Sequence, residues 1–371
     1  MIKINMDLIK QHENLNDGYY HVLNDILRYP EATIYIIWSM RGPGKTYSAL
    51  WSSYYLGVKI IYIKRTNEDL EFICGQIGNG DLSPLVPINR DKGTHLKMQM
   101  LSKGIAGFYE SEIDENGEWQ PAGAPYSYGV SLNAIKSIKG FDASDCEWIL
   151  LDEFIPQIGE IVRRREGEML LDLYMTCQRD RLERGLPPQK LILFANAEEI
   201  STPITRTLEV VDDMAELQFS GKRYRYLTDR GIMLHHITRE ECSFMTERSK
   251  QGIYKAMAGT AWHDKAFEGN FSNNDFSCVK HMKIHGYKVR ATFFYNGKKF
   301  FIYLKNKSFY VCGIPSKGDC EAYNLDREPD QKAFYNNEVL EVVRATITNR
   351  CFYDRYSLYD LFTRYKKIFT I

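Results

Sequence analysis

The sequence predicts an α/β fold built on a mostly parallel sheet, with a small α+β domain at its C-terminal end. Three observations lead there. Strand-sized apolar runs alternate with helical patterns between Thr33 and Ala197, the rhythm of parallel strands joined by right-handed crossovers. The first run, Ile34-Tyr35-Ile36-Ile37-Trp38-Ser39, leads through Met40-Arg41-Gly42-Pro43-Gly44 into Lys45-Thr46 and a helical pattern. Beyond Lys288 the rhythm changes, and Lys288–Tyr295 and Lys298–Leu304 flank Asn296-Gly297, a strong signal for an antiparallel hairpin. Domain boundaries are expected at 1–235, at 236–275 for a helical linker subdomain, and at 276–371.

The elements follow in order. Asp17–Leu27 reads as a short helix with Asp17 as N-cap and Pro30 as terminator. Thr33–Trp38 is a strand, Lys45–Leu56 a helix stopped by Gly57, and Val58–Lys64 a strand apolar enough to be covered on both faces. From Gly75 to Gly129 the chain is polar and turn-rich, with hairpin-like pieces around Leu96–Met100 and Gly107–Tyr109, and reads as functional loops. Tyr128–Asn133, Trp148–Leu151 and Leu191–Asn196 are further strands, a long helix over roughly Val162–Glu183 separating the last two. Thr238–Asn270 reads as helical and charged. After the hairpin come a strand at Ser308–Cys312 and helices over about Gln331–Val342 and Tyr353–Ile368.

Composition narrows the classes. Apolar residues make up 44% of 371, enough for a real core, and 48 basic residues balance 48 acidic ones, so contact with nucleic acid has to come from local patches. The eight cysteines are scattered, with no C-x-x-C and no zinc spacing, which reads as reduced thiols. Met1–Lys10 lacks an apolar h-region and the apolar runs are strand-sized, so neither a signal peptide nor a membrane span is expected.

The chemistry sits in three places. Arg41-Gly42-Pro43-Gly44-Lys45-Thr46-Tyr47 reads as the phosphate-binding loop of a nucleoside triphosphatase, although Ser39 stands where the usual G-x-x-x-x-G-K-[ST] has its first glycine. Gly42 and Gly44 let successive N–H groups converge on an anion, and the following helix adds its positive end. Lys45 can reach the phosphates, and the Thr46 hydroxyl can ligate Mg²⁺. Trp148-Ile149-Leu150-Leu151-Asp152-Glu153 is an apolar strand ending in two carboxylates. Asp152 suits the metal beside Thr46, and Glu153 suits polarising a water. Leu191–Ala197 ends in Asn196, placed where a γ-phosphate sensor belongs. Arg179 and Arg181 are candidate trans-acting cations, Arg163-Arg164-Arg165 reads as a solvated charge run, and Arg41 could swing between nucleotide and carboxylates. His235-His236 reads as structural.

With these pieces in order, the chain resembles the DNA-packaging ATPases of small, short-tailed bacteriophages with protein-primed genomes, relatives of the large terminases. The resemblance is carried by Arg41–Thr46, Ile61–Arg65, Leu150–Ile155, Arg179–Arg181 and Phe194–Ala197. It implies a P-loop ASCE motor domain over 1–235 that binds ATP and Mg²⁺, with Asp152 on the metal and Glu153 as catalytic glutamate. Arg179 would be an arginine finger acting in trans, and Lys139 a second trans-acting basic residue, with Lys136 easily confused with it. The family forms a ring, usually a homopentamer, on the portal of an empty procapsid and drives double-stranded DNA inward, some members using a packaging RNA. It works in the host cytoplasm, transiently at the portal vertex, and is absent from the mature virion. Its C-terminal domain looks like a vestigial RNase H-like nuclease. Here the strands V-R-A-T-F-F-Y and K-F-F-I-Y-L carry no acid, and Asp319, Asp326 and Asp330 are expected in a loop, so no nuclease activity is expected. Arg90, Lys92, Lys97 and Lys103 are candidate contacts to the DNA backbone. The rival readings are a helicase-like ATPase, a P-loop small-molecule kinase, and a non-enzymatic nucleotide-binding scaffold.

Overall fold

Strand β1 (Ile34–Ser39) lies inside a nine-stranded sheet, and residues Tyr35 to Trp38 are fully buried. With both faces covered, the strand needs no polar alternation. The computed structural model describes residues 5–75, 82–137, 142–157, 159–260, 269, 271, 274–316, 318–369 and 371. The chain forms two compact units: residues 1–208 with 217–272, and residues 209–216 with 273–371. Residues 236–260 of the expected linker thus pack with the first unit.

The other strands of the first unit are β2 (Ile60–Lys64), β3 (Lys97–Ser102), β4 (Ile105–Ile113), β5 (Trp119–Ser131), β6 (Trp148–Leu151), β7 (Lys190–Asn196), β8 (Tyr224–Leu227) and β9 (Ile232–Ile237). Their order is β3-β4-β5-β2-β6-β7-β1-β9-β8. The stretch from β5 to β9 is parallel, and β3, β4 and β8 run antiparallel at the edges. Strand β7 lies between β1 and β6, with Ser39 beside Asn196 and Leu151 beside Leu193. The carboxyl ends of β1, β6 and β7 therefore finish along one edge, where ligands bind in sheets of this kind.

Several expectations are corrected. A helix at Met6–His12 comes first, and the helix expected at Asp17–Leu27 spans Val22–Arg28. Asp17 accepts from Tyr19 N and touches His21, so it closes a local turn rather than capping a helix. Gly75–Gly129 is not mainly loops: β3, β4 and β5 form an antiparallel meander that widens the main sheet. The reading failed because the first half of β5, which carries Pro121, Gly123 and Pro125, is partly to fully exposed and shows no apolar alternation. The long helix is shorter, Glu166–Gln178, because Arg181 is pulled inward to donate to the carbonyls of Ser144, Cys146 and Pro187. Strands β8 and β9 were not anticipated. Within 238–260 the helices are short, Ser243–Arg248 and Gly252–Ala256.

The second unit holds a five-stranded sheet of β10 (Lys288–Tyr295), β11 (Lys298–Lys305), β12 (Ser308–Cys312), β13 (Glu321–Asn324) and β14 (Cys351–Tyr353). The order is β13-β10-β11-β12-β14. Asn296 and Gly297 both have positive φ, 50° and 69°, as the two-residue hairpin turn requires. Phe293 packs on Phe334 and Phe362, with ring centroids 5.0 and 5.8 Å away. The expected C-terminal helices are broken: Glu328–Phe334 runs through a π-helical turn into Leu340–Ile347, and Cys351–Tyr353 is a strand before the helix Tyr356–Thr363. Asp330 sits on the first of these helices, not in a loop, and caps Asn324 N.

Candidate nucleotide site

The helix Lys45–Tyr55 opens with Gly44 in the left-handed region at φ 96°, and Gly42 sits at φ 89°. Only glycine adopts such angles without strain, so the loop's tight curl is written in these two residues. The loop is braced from outside: Tyr20 N donates to Pro43 O and Val22 N to Ser48 Oγ. The Lys45 ammonium is buried and lies 2.5 Å from Ser39 Oγ and 3.4 Å from Asn196 Oδ1. Ser39, the departure from the usual glycine, thus supplies an acceptor that holds the lysine inward. Burial pulls the Lys45 pKa down to about 8, against the opposing pull of Asp152.

Across the cleft, Thr46 Oγ1 donates to Asp152 Oδ2 at 2.9 Å. The same carboxylate oxygen accepts from Tyr62 OH at 3.1 Å and lies 3.7 Å from Lys64 Nζ. Glu153 follows with φ 55°, a left-handed conformation unfavourable for a residue with a side chain. The surrounding backbone enforces it. Arg65 donates to Glu153 O and Phe154 O, both at 3.0 Å, and Phe154 N donates to Phe194 O. Strain maintained by several bonds at a carboxylate of this kind is a mark of functional sites. Residues 41–47, Asp152, Glu153, Ala195 and Asn196 together line one open cleft of about 360 Å³.

Other candidates fall differently. Arg41 lines the cleft and pairs with Glu198 at 3.6 Å. Arg181 is 2% exposed and bound to backbone carbonyls, so it is an internal anchor, while Arg179 is exposed at the end of its helix. Lys139 and the side chain of Lys136 lie outside the described residues. Arg165 pairs with Glu168. Of the basic residues proposed for DNA, Arg90 pairs with Asp91 and Lys97 donates to Trp119 O, whereas Lys103 is exposed. His235 is buried between Asp25 and Glu241, 2.9 and 3.3 Å away.

Sequence reasoning missed Tyr62, Lys64 and Arg65 as neighbours of the acidic pair. A signal existed: Tyr62 and Lys64 alternate onto one face of β2, next to β6 in the sheet. Arg65 also binds Glu166 at 2.6 Å and Glu160 at 2.7 Å, tying the end of β2 to the start of the helix Glu166–Gln178.

Comparison with known proteins adds the wider frame. No family model matches the chain, and no curated protein does. Solved structures do. The bacteriophage Phi-29 viral genome packaging motor assembly is similar over 95% of this chain and 100% of that one, at 16% identity and a TM-score of 0.62. The Phi-28 gp11 DNA packaging motor is similar over 96% of this chain and 99% of that one, at 14% identity and a TM-score of 0.60. The chain has the fold of a phage packaging-motor protein. That fold extends across both units of the chain and matches the expectation of a large, mostly parallel sheet.

Proposed function

We propose that this chain hydrolyses ATP to drive double-stranded DNA into a viral procapsid, as one subunit of a ring seated on the portal. The observation that carries the reading is the meeting of residues 42–46 with Asp152 and Glu153 around one cleft, although they stand more than a hundred positions apart. The insertion of β7 between β1 and β6 supports an ASCE-type P-loop domain, and the likeness to two packaging-motor structures over nearly the whole chain supports the DNA-moving role.

The loop amides and Lys45 bind the phosphates of ATP. The residues fit a hard cation: Thr46 and Asp152 offer oxygen donors already 2.9 Å apart, and would hold Mg²⁺, which neutralises phosphate charge when bound. Glu153 accepts the proton of the attacking water, and its strained backbone fixes the carboxylate against that task. Asn196, beside Lys45, reports the terminal phosphate. Arg179 and Lys139 act on a neighbouring subunit's nucleotide. The second unit serves as a docking domain without nuclease activity. Its buried acids are committed to arginines, Glu338 to Arg290 at 2.8 Å and Asp354 to Arg355 at 2.9 Å, which supports reading it as a vestigial nuclease. A packaging RNA and a pentamer are part of the same proposal, as are the host cytoplasm and the portal vertex as its place of work.

The test is DNA-stimulated ATP hydrolysis and packaging with purified procapsids. Glu153→Gln should lower kcat by about 10²-fold or more while ATP still binds. Phosphoryl transfer to a metabolite that survives this change would establish the kinase reading instead. ATP binding by the wild-type chain with no hydrolysis on procapsids would establish the scaffold.

A further inference from the structure

We propose that Arg248, a residue no motif marks, grips the terminal phosphates of the nucleotide within its own subunit. The inference rests on the nucleotide reading above and adds a ligand group from outside the loop. A Cβ placed on Gly42 would come within 2.8 Å of Arg248 Nη1. The guanidinium therefore lies against the bare Cα of the loop's first glycine, in space that any other residue would fill. Gly42 is required by its φ of 89°, and its missing side chain leaves the arginine room to lie there.

The electrostatics call for an anion there. Loop N–H groups and a helix N-terminus already make the region positive, and the buried Lys45 follows Gly44 in the same loop. Among the described residues, no carboxylate pairs with Arg248. Neighbouring cations are engaged: Arg41 with Glu198 at 3.6 Å, and Arg65 with Glu166 at 2.6 Å. Instead the Tyr254 ring lies 5.3 Å from the Arg248 guanidinium carbon, a contact that orients the fork without neutralising it. An unneutralised guanidinium held against an anion-binding loop is suited to bidentate recognition of phosphate oxygens. Arg248 ends the helix Ser243–Arg248, which follows β9 through the buried Cys242. Gain or loss of the terminal phosphates is then felt by the short helices 243–256, outside the motif-bearing part of the domain.

The experiment measures equilibrium binding of ATP and AMP, with Mg²⁺, to the full-length wild type, Arg248→Ala, Arg248→Lys and Lys45→Ala. Arg248→Ala should weaken ATP about ten-fold, the loss of one charge-assisted contact. AMP, which lacks the terminal phosphates, should bind as before. Arg248→Lys should recover part of the loss, and the thermal midpoint without nucleotide should not move, because the side chain is exposed. Unchanged ATP affinity in Arg248→Ala, alongside a loss in Lys45→Ala, overturns the role of Arg248 and leaves the nucleotide reading intact. Equal losses for ATP and AMP overturn it too, since they mark a merely structural residue. ATP binding that survives Lys45→Ala overturns the nucleotide reading itself, and this proposal with it.

Discussion

Arg65 shows how much of the site depends on one buried charge. Its guanidinium is shared between two carboxylates, Glu160 and Glu166, and two carbonyls, those of Glu153 and Phe154. Glu166 is 2% exposed, and removal of its partner leaves an uncompensated buried carboxylate. Arg65→Ala should cost about 3–5 kcal/mol of stability in urea unfolding. It also releases the carbonyl of Glu153, so Arg65→Lys, which keeps the charge but loses the fork, should lower kcat more than it raises KM for ATP. Equal catalysis in Arg65→Lys would show that the left-handed Glu153 backbone holds itself. In the sequence, Arg65 was visible only as the end of a motif. Its role depends on partners roughly ninety and a hundred residues away, which no local pattern encodes.

At the scale of elements, the segment after the helix Glu166–Gln178 separates two arginines that look alike in the sequence. Arg181 is inside, donating to three carbonyls, and Arg179 is outside. Their substitutions should therefore fail in different ways. Arg181→Ala strands buried carbonyls and should cost about 2–4 kcal/mol, seen as a lower thermal midpoint. If Arg179 acts in trans within a ring as proposed, Arg179→Ala should leave that midpoint unchanged and reduce hydrolysis in the assembled motor by about 10³-fold, with mixed rings poisoned beyond their share of the variant. A drop in the thermal midpoint with Arg179→Ala would argue against the trans role. The strands around the site were legible because strands covered on both faces are apolar throughout. The β3–β5 meander was not, because an exposed edge tolerates prolines, glycines and charges and so resembles a loop.

At the scale of the whole molecule, stability should depend on pH through a buried triad. Burial alone would lower the His235 pKa, but the carboxylates of Asp25 and Glu241 outweigh it and push it up to about 9. In the unfolded chain the value is about 6.5. The folded form thus binds the proton more tightly, and the resulting stabilisation is complete below about pH 6.5 and fades as pH rises through 9. Chemical denaturation from pH 6 to 8, below the range in which the depressed pKa values of Lys45 and Lys190 act in the opposite sense, should show this decline, and His235→Gln should flatten it. An unchanged slope in the variant would place the titration elsewhere. The triad joins β9 to the helix Val22–Arg28 and to the turn that follows β9, so its loss loosens the region that braces the phosphate loop.

The sequence by itself determined the loop, the acidic pair, the parallel strands other than β9 and the hairpin turn. Each is set by short-range chemistry: glycines where φ must be positive, unbroken apolar runs where both faces are covered, and a two-residue turn with its own dihedral demands. Tertiary structure alone decided that Asp152 shares its oxygen with Thr46, Tyr62 and Lys64, that Arg65 holds Glu153 in a strained backbone, and that Arg248 lies over Gly42. Those contacts join residues from distant parts of the chain, and only the order in which strands enter the sheet brings them within reach.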